Sequence, residues 1–173
     1  PGPLTMVLPK RKEVPNIVTA GLDSVALRVP AHPVALALLE LSKLPVAAPS
    51  ANRSTQLSPT TAQHVEKSLG DEVDIILDGG ATILGIESTV VDLTGNRPVL
   101  LRPGIISCEE LQSILGEIDV PEKTIQESAP RLSPGMLDRH YAPHASMVLF
   151  DPEKLGGVRD IIEKEQAKGG IVG

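Results

Sequence analysis

The feature that most constrains this chain is the distribution of its turn-forming residues. Sixteen Pro and 15 Gly in 173 residues are spread from end to end rather than gathered into one linker. Such a chain folds as many short elements joined by tight, specified turns. The core those elements share must be aliphatic, because there is no Trp, one Phe (Phe150) and one Tyr (Tyr141). Leu, Ile, Val and Phe nevertheless supply 52 of the 173 residues, well above the share found in disordered chains. No apolar run approaches the ~20 residues of a membrane span. The formal net charge of −6 argues against a nucleic-acid domain that binds by bulk charge. The single cysteine, Cys108, excludes an internal disulfide framework and a cysteine-based zinc site, and it fits a reducing, cytoplasmic setting.

Apolar patterning places strands at Leu4 to Leu8 and Val25 to Val29, the second interrupted by Arg28. Pro33 fits the first turn of a helix running through Leu41. Val46 to Ala48 and Val73 to Leu77 read as buried strands, the second ending in Asp78-Gly79-Gly80. Ser58 is the expected N-cap of a helix with Pro59 at its first position and Gly70 as its stop. Thr89 to Leu93 and Pro98 to Arg102 flank Thr94-Gly95-Asn96 as a hairpin. Ser107 and Glu110 form a capping box for a helix ending near Gly116. This mixed order predicts an α/β domain with a mixed sheet over residues 1–116. From Glu117 to Ser146 the apolar periodicity fades into a linker. Residues 147–173 then read as strand, helix over Val158 to Lys168, and the beginning of a further strand.

Polar clusters that follow apolar strands are the candidate sites, since open α/β sheets bind ligands there. Ala47-Ala48-Pro49-Ser50-Ala51-Asn52, with Ser58 further on, offers hydroxyls, amides and a helix start suited to phosphate or carboxylate. A turn with an N-cap is the commoner role of any single Ser-Pro. In Gly85-Ile-Glu-Ser-Thr-Val-Val-Asp92, alternation puts Ser88, Val90 and Asp92 on one face and Thr89, Val91 and Leu93 on the other. Arg102 ends an apolar strand and can clamp an anion, although ion pairs use Arg equally well. Arg28, inside an apolar strand, must face solvent, a partner or a bound anion. His140 and His144 have a metal-ligand spacing, but Pro143 between them and the lack of an intervening Glu argue against zinc. Lys10-Arg11-Lys12 is the only basic cluster, on what reads as an exposed loop.

The ordered set Pro1-Gly-Pro-Leu-Thr5, Leu22-Asp-Ser-Val-Ala-Leu-Arg-Val-Pro30, Ala47-Ala-Pro-Ser-Ala-Asn52, Ser58-Pro-Thr60, Asp78-Gly-Gly80, Glu87-Ser-Thr-Val-Val-Asp92 and Leu101-Arg-Pro-Gly104 resembles the YrdC-like threonylcarbamoyl-AMP synthases. Ser133-Pro-Gly-Met136 and His140-Tyr-Ala-Pro143 resemble the linker of the two-domain members. The resemblance implies a twisted mixed sheet with flanking helices, a linker closing over the active site, and the start of a second, Rossmann-like α/β domain. It implies condensation of L-threonine, bicarbonate and ATP, with Mg²⁺ accompanying the ATP and pyrophosphate released. The product would feed threonylcarbamoylation of tRNA by a downstream transferase machinery in the cytoplasm, with no membrane involved. Ser24, Ser50, Ser58, Arg102 and Tyr141 would then contact ATP or the adenylate. Arg28, the backbone around Ala48, and Ser88 would hold threonine, with Asn52 supporting the loop. Family members begin well upstream of the Pro-Gly-Pro motif, with a Lys/Arg phosphate motif there. The resemblance therefore implies a chain truncated at both ends, expected to make little adenylate alone. The alternative is a non-catalytic YrdC-like module that binds double-stranded RNA or tRNA, which the acidic balance disfavours.

Overall fold

The computed structural model describes residues 1–53, 56–121 and 157–169. The chain divides into two compact units, residues 1–142 and 143–173. In the first, four strands form one sheet: β1 (Leu4–Pro9), β2 (Ser24–Leu27), β3 (Thr89–Asp92) and β4 (Val99–Arg102). Their spatial order is β2-β1-β3-β4. β1 pairs antiparallel with β2 and parallel with β3, while β3 pairs antiparallel with β4. The sheet is mixed, as the sequence predicts.

The hairpin between β3 and β4 is closed by local chemistry. Asp92 Oδ1 accepts from the Thr94 amide at 2.9 Å and the Thr94 hydroxyl at 2.8 Å, the side-chain mimic of a turn that Asp favours. β3 is not half-exposed, because both of its faces are covered. A register shift falls between Val90 and Val91, and Thr89, Val90 and Val91 are all buried in succession. An interior strand covered on both faces has no solvent side to display.

Among the described residues, three α-helices belong to the same unit as the sheet, α1 (Pro33–Ser42), α2 (Ala62–Leu69) and α3 (Cys108–Leu115), and the second unit holds α4 (Val158–Ala167). The capping box predicted for α3 is present, with Ser107 Oγ accepting from the Glu110 amide and Glu110 Oε2 accepting from the Ser107 amide. Glu109 lies in the same first turn. A hydrogen bond from its own backbone amide, then one from the Ser107 hydroxyl, hold its carboxyl below the ordinary range. α3 ends at Gly116, whose φ of 78° is the left-handed conformation that glycine adopts without a Cβ penalty. Leu111 of α3 packs with Leu100 and Ile118, and Leu4, Ile106 and Cys108 close around them. Glu117 to Val120, the expected start of a linker, therefore include a core residue, Ile118. Asp119 adds a parallel bridge beside Val99.

Two expected strands are absent. Val46 to Ala48 and Val73 to Leu77 form no ladder and lie exposed, with Ile75 at 78% of its full accessibility. β propensity measures fit to a paired, half-buried surface, and neither segment has a strand beside it among the described residues. α1 likewise buries none of its residues. Met147 to Phe150 and the expected strand at residues 171–173 lie outside the described residues. No described helix is long and apolar enough to cross a membrane.

Candidate active site

Strand register gathers the first group of polar side chains. Thr5 of β1 stands opposite Val90 of β3 in their parallel ladder, and Ser88, two residues before Val90, lies diagonally across from Thr5 on the same face. Their hydroxyls are hydrogen-bonded at 2.7 Å. Arg102, at the end of β4, donates to the Ser88 carbonyl from Nε at 3.0 Å and from Nη2 at 2.9 Å. Nη2 also reaches Ser88 Oγ at 3.1 Å. Ser88 is buried and thus held from two strands at once. The β1–β2 ladder ends at Met6 and Leu27, so Arg28, expected inside the strand, is instead the first residue beyond it, at the end of the sheet where Thr5 lies. Arg28 is exposed and makes no hydrogen bond or ion pair among the described residues.

Ser24 begins β2 opposite Pro9. Arg28 lies four positions on, just past the other end of the strand, a span of about 13 Å in extended chain. That separation suits the two ends of an extended ligand.

The second group surrounds a cavity of about 300 Å³ whose walls include Ser50, Ser58, Thr60, Gly79, Gly80 and Thr82. Its walls are built by local devices. Arg53 Nε donates to the Ser68 carbonyl at 2.9 Å and its guanidinium pairs with Glu72, which anchors the Ser50 loop to the end of α2. Asn52 Nδ2 donates to the carbonyls of Arg53 and Gln56, each at 2.9 Å, and so supports that loop from within. Those two carbonyls fix the amide orientation and leave Asn52 Oδ1 buried without a partner. His32, the residue before α1, bonds through Nε2 to the Gly79 carbonyl at 3.2 Å. A Cβ on Gly79 would lie 2.6 Å from His32 Cε1, so the ring can sit there only against glycine.

Ser58 corrects one expectation. The N-cap of α2 is Thr61, whose hydroxyl accepts from the His64 amide at 3.2 Å. Ser58 instead donates its hydroxyl to Glu87 Oε1 at 2.6 Å. A charge-assisted bond to a carboxylate is stronger than a neutral cap, so the tertiary partner wins. Because Glu87 precedes Ser88, this bond joins the cavity to the Thr5–Ser88–Arg102 group.

Of the candidate residues, Ser50 and Ser58 line the cavity, Ser88 and Arg102 are bonded to each other, and Arg28 lies exposed just beyond the end of β2. Ala48 is exposed in extended chain between α1 and the cavity loop. Tyr141, with the whole segment from Ser133 to His144, lies outside the described residues. Thr5 and Glu87 belong to the site although no local sequence signal marks them, since only the folded sheet brings them to Ser88 and Ser58. The basic loop is also altered: Lys10 Nζ donates to Asn16 Oδ1 at 2.6 Å and Thr19 Oγ1 at 3.1 Å, bracing the loop rather than pointing into solvent.

Residues 1–104 match the Sua5, YciO and YrdC family model described as Telomere recombination, and residues 106–173 match Threonylcarbamoyl-AMP synthase, C-terminal domain. The chain is 48% identical over 166 residues to a threonylcarbamoyl-AMP synthase of Pyrococcus abyssi, covering 95% of this chain and 47% of that protein. A Bacillus subtilis protein of the same name is 44% identical over 176 residues, covering 100% of this chain and 50% of its own length. The chain thus spans about half the length of the curated relatives it matches. Among solved structures, P. abyssi Sua5 complexed with L-threonine superposes with a TM-score of 0.88 at 46% identity, over 98% of this chain and 51% of that one. Escherichia coli YciO gives 0.55 at 31% identity, over 61% of this chain and 52% of that one.

Proposed function

The chain belongs to the YrdC-like threonylcarbamoyl-AMP synthases, and from that membership we propose that it carries threonine- and nucleotide-binding parts of a site that condenses L-threonine, bicarbonate and ATP into threonylcarbamoyl-adenylate. The observation that carries this reading is the hydrogen-bonded group of Thr5, Ser88 and Arg102, with the exposed Arg28 just beyond the neighbouring end of β2. A guanidinium without a partner among the described residues, together with fixed hydroxyls, suits an amino acid that has both a carboxylate and a hydroxyl. A P. abyssi relative of 46% identity solved with L-threonine supports the same ligand.

In this reading Arg28 takes the threonine carboxylate, while Ser88 and the backbone around Ala48 orient the rest of the molecule. Ser24, Ser50, Ser58, Arg102 and Tyr141 hold ATP, and Asn52 keeps the Ser50 loop in shape. The threonine amine takes up carbon dioxide, an oxygen of the resulting carbamate attacks the α-phosphorus in line, and pyrophosphate leaves. This chain's residues contribute positioning and charge neutralisation rather than covalent chemistry. Mg²⁺ enters as the ATP complex. The proposed setting is the cytoplasm, with the adenylate passed to tRNA modification. The proposed linker at 117–146 leads into a second α/β domain to which α4 belongs. The RNA-binding alternative is weakened because Lys10, one of three clustered cations, is engaged within its own loop.

The test is titration calorimetry of the chain with L-threonine and with ATP. Saturable threonine binding that Arg28→Ala abolishes is expected. Threonine binding that survives Arg28→Ala unchanged would overturn the assignment.

A further inference from the structure

The bond from Ser58 to Glu87 limits what Ser58 can do for a ligand. A hydroxyl has one proton and two lone pairs, and a carboxylate only accepts. With its proton committed to Glu87 Oε1 at 2.6 Å, Ser58 presents only lone pairs to the cavity it lines. A group that only accepts must meet a donor. The oxygens of a triphosphate are acceptors, and the Glu87 charge standing behind Ser58 repels them further. The nucleoside half of ATP is different, since its ribose hydroxyls and exocyclic amine are donors.

Building on the nucleotide reading above, we propose that the Ser58–Glu87 pair recognises the nucleoside half of ATP by accepting a hydrogen bond from it, with Glu87 as the positioning residue that makes Ser58 an acceptor. Glu87 is half-buried and immediately precedes Ser88. The same short segment thus sets the nucleoside contact on one side and the threonine-side hydroxyl on the other.

The experiment titrates the chain and its Ser58→Ala, Glu87→Ala and Glu87→Gln variants with adenosine, AMP, ATP and inorganic tripolyphosphate. Losing one hydrogen bond of ordinary net strength lowers affinity about fivefold. That loss is expected for adenosine, AMP and ATP alike in Ser58→Ala and Glu87→Ala. Glu87→Gln keeps an acceptor oxygen for the Ser58 proton and should restore most of the affinity. Tripolyphosphate affinity should stay the same or rise when the carboxylate is removed. Loss confined to ATP and tripolyphosphate, with adenosine unaffected, would overturn the inference. So would ATP and adenosine binding that no variant changes, an outcome that leaves the nucleotide reading standing. If the unsubstituted chain binds neither ATP nor adenosine, the nucleotide reading fails and this inference fails with it.

Discussion

Gly104→Ala should damage the fold and the threonine side of the site together. A Cβ on Gly104 would lie 2.4 Å from the Thr89 amide nitrogen, 2.7 Å from the Glu87 carbonyl oxygen and 2.7 Å from Thr89 Oγ1. Two of these neighbours are backbone and cannot swing aside. Restoring contact near 3.5 Å requires the loop after β4 and the start of β3 to part by about 1 Å. The same junction is held by Thr89 Oγ1 donating to the Ile106 carbonyl at 2.8 Å and accepting from the Ile106 amide at 3.0 Å. Stretched by that amount, neither remains a hydrogen bond. Thr89 has no exposed surface, so its hydroxyl would be left buried and unpaired. Two lost bonds at about 1 kcal/mol each, plus overpacking of about 1–3 kcal/mol, give a destabilisation on the order of 3–5 kcal/mol. Urea unfolding followed by far-UV circular dichroism measures it. Gly95→Ala is the control, because the nearest atom to its Cβ is 3.7 Å away. Its effect should stay within about 0.5 kcal/mol. Ser88 sits between Glu87 and Thr89, so threonine affinity should fall in Gly104→Ala as well. Coincident unfolding midpoints for the two variants would refute the steric argument.

Other expectations follow from the same geometry. Arg28→Ala should weaken threonine at least tenfold, the loss of a charge-assisted contact, and leave ATP affinity nearly unchanged; calorimetry with each ligand checks both. Thr5→Val removes only the hydroxyl bonded to Ser88 and should cost threonine about fivefold, with Thr5→Ser restoring it; equal affinities for Val and Ser variants would remove Thr5 from the site. Gly79→Ala should displace the exposed His32 ring, because the added Cβ would lie 2.6 Å from Cε1. The His32 Cε1–H resonance should shift while the unfolding midpoint changes little, and an unmoved resonance would count against the contact.

Much of the local structure was legible because its causes lie within a turn of one another. Pro33 at the first position of α1, Gly70 at the end of α2, the Ser107–Glu110 box and the hairpin around Thr94-Gly95-Asn96 each depend on neighbours no more than a few residues away. Sequence order also carried the family resemblance, and with it the residues for which binding roles are proposed. The misreadings share one cause. Val46 to Ala48 and Val73 to Leu77 have strand composition, but a strand exists only where another strand offers its hydrogen bonds, and composition does not name the partner. Ser58 looked like a helix cap because Pro59 follows it, yet a carboxylate 29 residues later claims its proton and Thr61 caps instead.

The chain alone therefore determined the short elements, their caps and turns, and an aliphatic core, because those follow from backbone sterics and from side chains close in sequence. The tertiary structure decided which polar groups meet. Thr5 and Ser88 are separated by 83 positions and touch at 2.7 Å only because β1 and β3 pair in parallel. Arg28 comes to the same end of the sheet only because β2 pairs antiparallel with β1. Those contacts are set by strand pairing across the whole sheet, where a one-residue slip would turn each side chain to the opposite face.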